Sequence, residues 1–205
     1  MNIKYILRLA LVAAGICSAQ AASVTIANHS FETGAGVPAP GNWNNNAPEG
    51  WSVAGSVGMQ ADNPAPAGTD GTVFTFVQGD DSSLLQDIAG GAGSTTIAGD
   101  LFTLTVAAFN QNGSPSFDFD LTDFSGVSLI GGPQTVPVAG DWADYTVPGL
   151  VDTASSEVRL VLNANGGQIR FDNVRLDVQS VPEPGSTALL GLASLSLLLR
   201  RKRMR

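Results

Sequence analysis

From residue 22 to residue 180 the chain has no stretch with a helical period, and this constrains its fold more than any other feature. It offers short runs, many alternating apolar and polar residues, each closed by Gly, Asn, Asp or Pro. The candidate strands are residues 23–28, 51–57, 72–78, 83–88, 101–110, 116–122, 142–147, 157–163 and 168–178. In Phe117-Asp118-Phe119-Asp120-Leu121 the alternation turns the aromatics inward and the aspartates outward. Leu101 to Phe109 is nearly all apolar, as expected of a central strand. Asn165-Gly166-Gly167 reads as a hairpin turn between the last two strands. Residues 33–50 and 60–71 read as long loops. About nine short strands and no helix predict an all-β domain built as an antiparallel sandwich.

The two ends are of a different character. Near the N-terminus, Lys4 and Arg8 precede an apolar stretch from Leu9 to Cys17, and Ala19-Gln20-Ala21 follows as a cleavage site. Residues 1–21 are therefore expected to be a signal peptide, helical before removal by signal peptidase. Its loss takes Cys17, so the exported chain has no thiol for a disulfide. At the C-terminus, Pro182-Glu183-Pro184 blocks any helix or sheet from continuing. An uncharged run from Gly185 to Leu199 follows, then Arg200, Arg201 and further cations. As a helix that run is roughly 22 Å long, a short transmembrane span whose basic end stays cytoplasmic. These parts in this order resemble the PEP-CTERM sorting signal of Gram-negative bacteria. The resemblance implies an exosortase as processing partner, transient residence in the inner membrane, and delivery to the cell surface or extracellular matrix. The expected organisation is thus signal peptide 1–21, sandwich domain 22–180 and sorting signal 181–205.

Charge narrows the partners. Within residues 22–180, three arginines face seventeen carboxylates, a net charge of −14. Such a surface repels nucleic acid, which is excluded as a partner.

The domain carries a second resemblance. Asn28-His29-Ser30-Phe31-Glu32 is similar to the opening of jelly-roll carbohydrate-binding modules and galactose-binding-like domains. Gly50-Trp51, Asp70-Gly71-Thr72, Gly140-Asp141-Trp142 and the closing Phe171-Asp172-Asn173-Val174-Arg175-Leu176 follow in the order of those modules. The resemblance implies a jelly-roll β-sandwich with its first and last strands adjacent. It also implies that Glu32 and Asp172 meet beside those strands and hold a structural Ca2+, with backbone carbonyls completing the shell. Calcium takes six to eight hard oxygens, which such groups supply. The competing reading is that both carboxylates only accept hydrogen bonds from backbone amides.

Sugar recognition needs flat aromatic faces with polar groups alongside. Trp51 and Trp142 stand at strand starts and read as structural. Trp43, among Gly41, Asn42, Asn44, Asn45 and Asn46, is the candidate glycan-binding aromatic, unless it folds back on the sandwich edge. Catalysis finds little to work with. The one histidine, His29, lies in the opening motif, and no G-x-S-x-G elbow or His/Cys zinc cluster is present. Asp118 and Asp120 read as a solvated face. The expectation is a non-catalytic surface, exopolysaccharide-matrix or biofilm protein that binds glycan. The alternatives are a purely structural protein without glycan binding and, behind it, a polysaccharide hydrolase.

Overall fold

The computed structural model describes residues 21–112 and 116–180 of the 205. The signal-peptide and sorting-tail helices expected from the sequence lie outside these residues. Ten strands follow one another: β1 (Ala21–Val24), β2 (Trp43–Asn44), β3 (Ser52–Ala61), β4 (Val73–Asp87) and β5 (Leu101–Asn112). Then come β6 (Ser116–Thr122), β7 (Gln134–Pro137), β8 (Ala143–Leu150), β9 (Arg159–Asn165) and β10 (Gln168–Gln179). Every pairing is antiparallel, and no helix occurs among the described residues.

Two layers arise because β3 and β4 change sheets midway. The first half of β4 pairs with β10 through Phe171↔Thr75 and its neighbours. The second half pairs with β9 from Ser83↔Asn163 to Asp87↔Arg159. β3 follows it, with a register shift between Ala54 and Ser56 where the strands turn the corner. The front sheet therefore runs β2-β3-β4-β10-β5-β8, and the back sheet β3-β4-β9-β6-β7. β1 pairs with the far end of β10, Val24 opposite Leu176, so first and last strands are adjacent as expected.

The layers face each other through aromatic contacts. Phe117 on β6 meets Phe171 on β10 edge-on at 5.2 Å and Tyr145 on β8 at 6.3 Å. Phe117, Phe119 and Leu121 are fully buried, as alternation requires. Removing a ring of this kind costs about 3–5 kcal/mol, the lost transfer energy plus the cavity. The aspartates between them do not share one fate. Asp118 accepts hydrogen bonds from Thr135 and Asn165 near the surface. Asp120 is buried under the segment after β6, where Ser128 Oγ donates to it at 2.7 Å. Burial pushes its pKa up. The solvated face read from the sequence is thus half covered, because the loop between β6 and β7 folds back on its own strand.

Candidate ligand cleft and acidic cluster

The acidic cluster is built by the turn that follows β1. Asn28 and Phe31 adopt left-handed backbone angles (φ 47° and 60°), and Phe31 N–H donates to Asn28 O at 3.1 Å. The Asn28 side chain ties the turn to Thr33 and to the Glu49 carbonyl. Phe31 is fully buried against Trp51 at 5.5 Å, an anchor that repays the strained φ. Beyond it, Val174 N–H donates to His29 O at 2.9 Å, fixing the turn beside β10.

That turn delivers Glu32 to the loop before β4. Glu32 Oε1 accepts hydrogen bonds from the amides of Thr72 (2.5 Å) and Val73 (2.6 Å). Gly71 lies directly against this carboxylate, and a Cβ there would overlap Glu32 Oε1. Asp172, fully buried on β10, accepts from Asp70 N–H at 2.6 Å and Asn173 N–H at 2.7 Å. Burial, and then the neighbouring charges of Asp70 and Glu32, push its pKa up to about 8. His29 Nδ1 stands 3.8 Å from Asp70 Oδ2.

The structure thus brings Glu32 and Asp172 to one loop and satisfies both with backbone amides. Each Asp172 oxygen keeps a second lone pair, whereas Glu32 Oε1 accepts two amides and only its Oε2, with a long 3.5 Å bond from Thr72 Oγ1, is left to bind. These are hard oxygens, the chemistry a calcium ion takes. Among the described residues, however, no three His, Cys, Asp or Glu side chains converge as a metal group. Any ion here would draw on carbonyl oxygens as well.

The second feature lies on the outer face of the front sheet. Along the first half of β4, Val73 and Val77 join the core, while Phe74 and Phe76 point the other way. β2 brings Trp43 over Phe76, edge-on at 6.3 Å, and 64% of Trp43 remains exposed. The approach is possible because position 58 on β3 has no side chain. A Cβ at Gly58 would collide with the Asn44 carbonyl and come within 2.6 Å of Phe76 Cζ. Trp43, Phe76, Ser56, Gln60, Gln78 and Gln168 line a cleft of about 360 Å³.

Of the other tryptophans, Trp51 is buried, its indole N–H donating to Asn28 O at 3.3 Å. Trp142, half-buried, stacks on Phe109 (5.7 Å) and meets Phe74 edge-on (5.3 Å). Arg170 of β10 lies over the same two phenylalanines. Sequence reasoning found Trp43 but missed Phe76, Arg170 and the glutamines. A signal existed: residues 73–77 are apolar on both faces of the strand, more than one core layer needs.

The fold is an antiparallel jelly-roll β-sandwich, similar to that of carbohydrate-binding modules. The chain belongs to the HpiC1-like family, whose profile, described as HpiC1 cyclase, matches residues 22–177. Residues 180–203 match the PEP-CTERM protein-sorting motif. Among solved structures, a cyclase from Fischerella sp. TAU is 18% identical with a TM-score of 0.61, over 80% of this chain and all of that one. The same cyclase in complex with 4-(1H-indol-3-yl)butan-2-one has a TM-score of 0.60 at 18% identity, over 79% of this chain and all of that one. TmCBM61, solved with β-1,4-galactotriose, is 16% identical with a TM-score of 0.50, over 76% of this chain and 98% of that one. No curated protein matches the sequence. The family description names a cyclase, an activity the sequence reading did not weigh.

Proposed function

We propose that this is an exported protein, processed by an exosortase, that binds glycan at the bacterial surface or in its exopolysaccharide matrix. The observation that carries this reading is the exposed Trp43 standing over Phe76 among amide side chains. An indole face packs against the C–H surface of a pyranose, and Gln60, Gln78 and Gln168 offer both donors and acceptors to its hydroxyls. The sorting motif supports export and tail processing, and the likeness to TmCBM61 supports a jelly roll suited to the task. Glu32 and Asp172 would hold a structural Ca2+ that fixes the loop carrying Asp70 and Thr72.

Titration of the protein against a panel of soluble polysaccharides tests the proposal. Trp43→Ala is expected to weaken binding by roughly 1–3 kcal/mol, the range for one stacked aromatic in a sugar or base site. A panel with no binder would instead favour the purely structural reading.

A second reading, catalysis of a cyclisation, is favoured by the family match. It would need a proton donor, and burial pushes the pKa of the Asp172 carboxyl up to about 8. Its oxygens are occupied by two amides and it has no exposed surface, which supports a structural task for it.

A further inference from the structure

Next to the Trp43–Phe76 cleft the outer face presents a cation without a counter-ion. The domain holds three arginines and seventeen carboxylates. Arg159 is clasped by Asp87 at 2.6 Å and Arg175 by Asp144 at 2.9 Å. Arg170 makes no ion pair among the described residues, and its Nε has no hydrogen-bond partner. Its guanidinium carbon lies 4.8 Å from the Phe74 ring centre and 5.5 Å from that of Phe109, with Trp142 packed against both rings. The acidic neighbour that acts on it is Asp62, whose Oδ1 already accepts from Gln60 Nε2 at 2.8 Å. The domain as a whole repels polyanions, so any anion binding here must be local. An arginine so left without an ion pair, lying over two aromatic rings, is the place where the field is least unfavourable to one carboxylate.

The register sets where that anion would come from. Arg170 is opposite Phe76 on β4 and opposite Phe109 on β5. Gln168, which lines the cleft, is two residues away on the same face of β10, roughly 7 Å along the strand. That spacing is comparable to one sugar residue. A polymer with one unit on Trp43 and Gln168 therefore sets the substituents of the next unit beside the guanidinium.

Resting on the glycan-binding reading above, we infer that Arg170 is the specificity-determining residue of this cleft and selects polysaccharides bearing carboxylated, uronate-type sugars over neutral ones. A guanidinium lying over two rings, its Nε buried, offers its terminal N–H groups to a carboxylate, whereas a hydroxyl or ester uses one donor and no charge.

The test compares polygalacturonate and alginate with their methyl-esterified forms, which keep the backbone and lose the charge. The wild-type protein should bind the acid forms about tenfold or more tighter, the size of one charge-assisted bidentate contact. Arg170→Gln should bring acid and ester to within about twofold, and Arg170→Lys should retain part of the preference. Trp43→Ala should weaken both forms together. Equal binding of acid and ester by the wild type, or an acid preference that survives Arg170→Gln, would overturn the inference and leave the glycan reading standing. No binding of any glycan by the wild type would remove both.

Discussion

At the scale of single residues, the sequence marked the candidate groups more readily than their partners. Glu32 and Asp172 stood out as carboxylates at the two ends of the domain, and the fold brings them to one loop. The amides that hold them belong to Asp70, Thr72, Val73 and Asn173, and backbone donors leave no mark in residue types. Gln86 belongs, after Asp70-Gly71-Thr72, to the residues that carry the jelly-roll resemblance, but its task was similarly hidden. Its side-chain amide accepts from Ala27 N–H at 3.0 Å and donates to Ala27 O at 2.9 Å, standing in for a strand partner after β1 ends at Val24. Asp172 makes the sharpest residue-scale prediction. Its folded pKa, near 8, lies above the ordinary carboxylate value, so the folded state holds a proton that the unfolded chain releases near pH 4. The contribution of Asp172 to the stability of the chelated protein should therefore be fully present at or below pH 4. It should fall as pH rises toward 8, by at most about 1.4 kcal/mol per unit, and level off above. Urea titrations of wild type and Asp172→Asn across that range isolate the effect. The variant should lack this fall, and parallel curves would show that Asp172 is not the group responsible.

At the scale of elements, the long alternating strands were legible, while the links and the shortest strands were not. β6 begins and ends at the residues that the alternation marked, but Gly166-Gly167 is not the hairpin its sequence announced. β9 pairs with β4 and β6, and β10 with β4 and β5, so this turn carries the chain from the back sheet to the front, where Gly79 N–H donates to its carbonyls. Two candidate strands, 72–78 and 83–88, prove to be one long β4, because Gly79 takes a left-handed φ of 87° and the strand bends without ending. β7 is a four-residue edge strand with Pro137 at its end, and β2 has two residues, too little for any periodicity to register. Yet β2 is what carries Trp43 to the cleft, and it depends on Gly58. Gly58→Ala should push β2 off β3, because the added methyl meets a backbone carbonyl that cannot rotate away. Overpacking of this kind costs about 1–3 kcal/mol. More telling, the variant should lose glycan affinity to the same degree as Trp43→Ala while the far-UV circular dichroism stays that of a β protein. A Gly58→Ala protein with wild-type affinity would place the binding surface elsewhere.

At the scale of the whole molecule, a domain with no cysteine after export and a net charge of −14 must resist self-repulsion without covalent staples. The stretch from Asn28 to Thr72 is where it is most exposed to that strain. Its long loops hold only β2 and β3, and they close on the body of the sandwich through Glu32, Asp70 and Asp172. A divalent cation between Glu32 and Asp172 would offset their charge and tie the loops down at once, which is the physical case for calcium here. The expected size follows from linkage. Extracellular calcium modules have dissociation constants of about 10⁻⁴–10⁻³ M, so 1 mM calcium should add about 0.4–1.4 kcal/mol. For a domain of this length that raises the melting midpoint by roughly 1–6 °C. The shift should grow with pH as the ion displaces the Asp172 proton, opposite to the trend of the chelated protein. Glu32→Gln keeps an acceptor for Thr72 and Val73 but lowers the charge, so it should abolish the calcium response and leave the chelated melting point nearly unchanged. A midpoint indifferent to both calcium and chelator at pH 8 would mean that the backbone amides alone hold the cluster together.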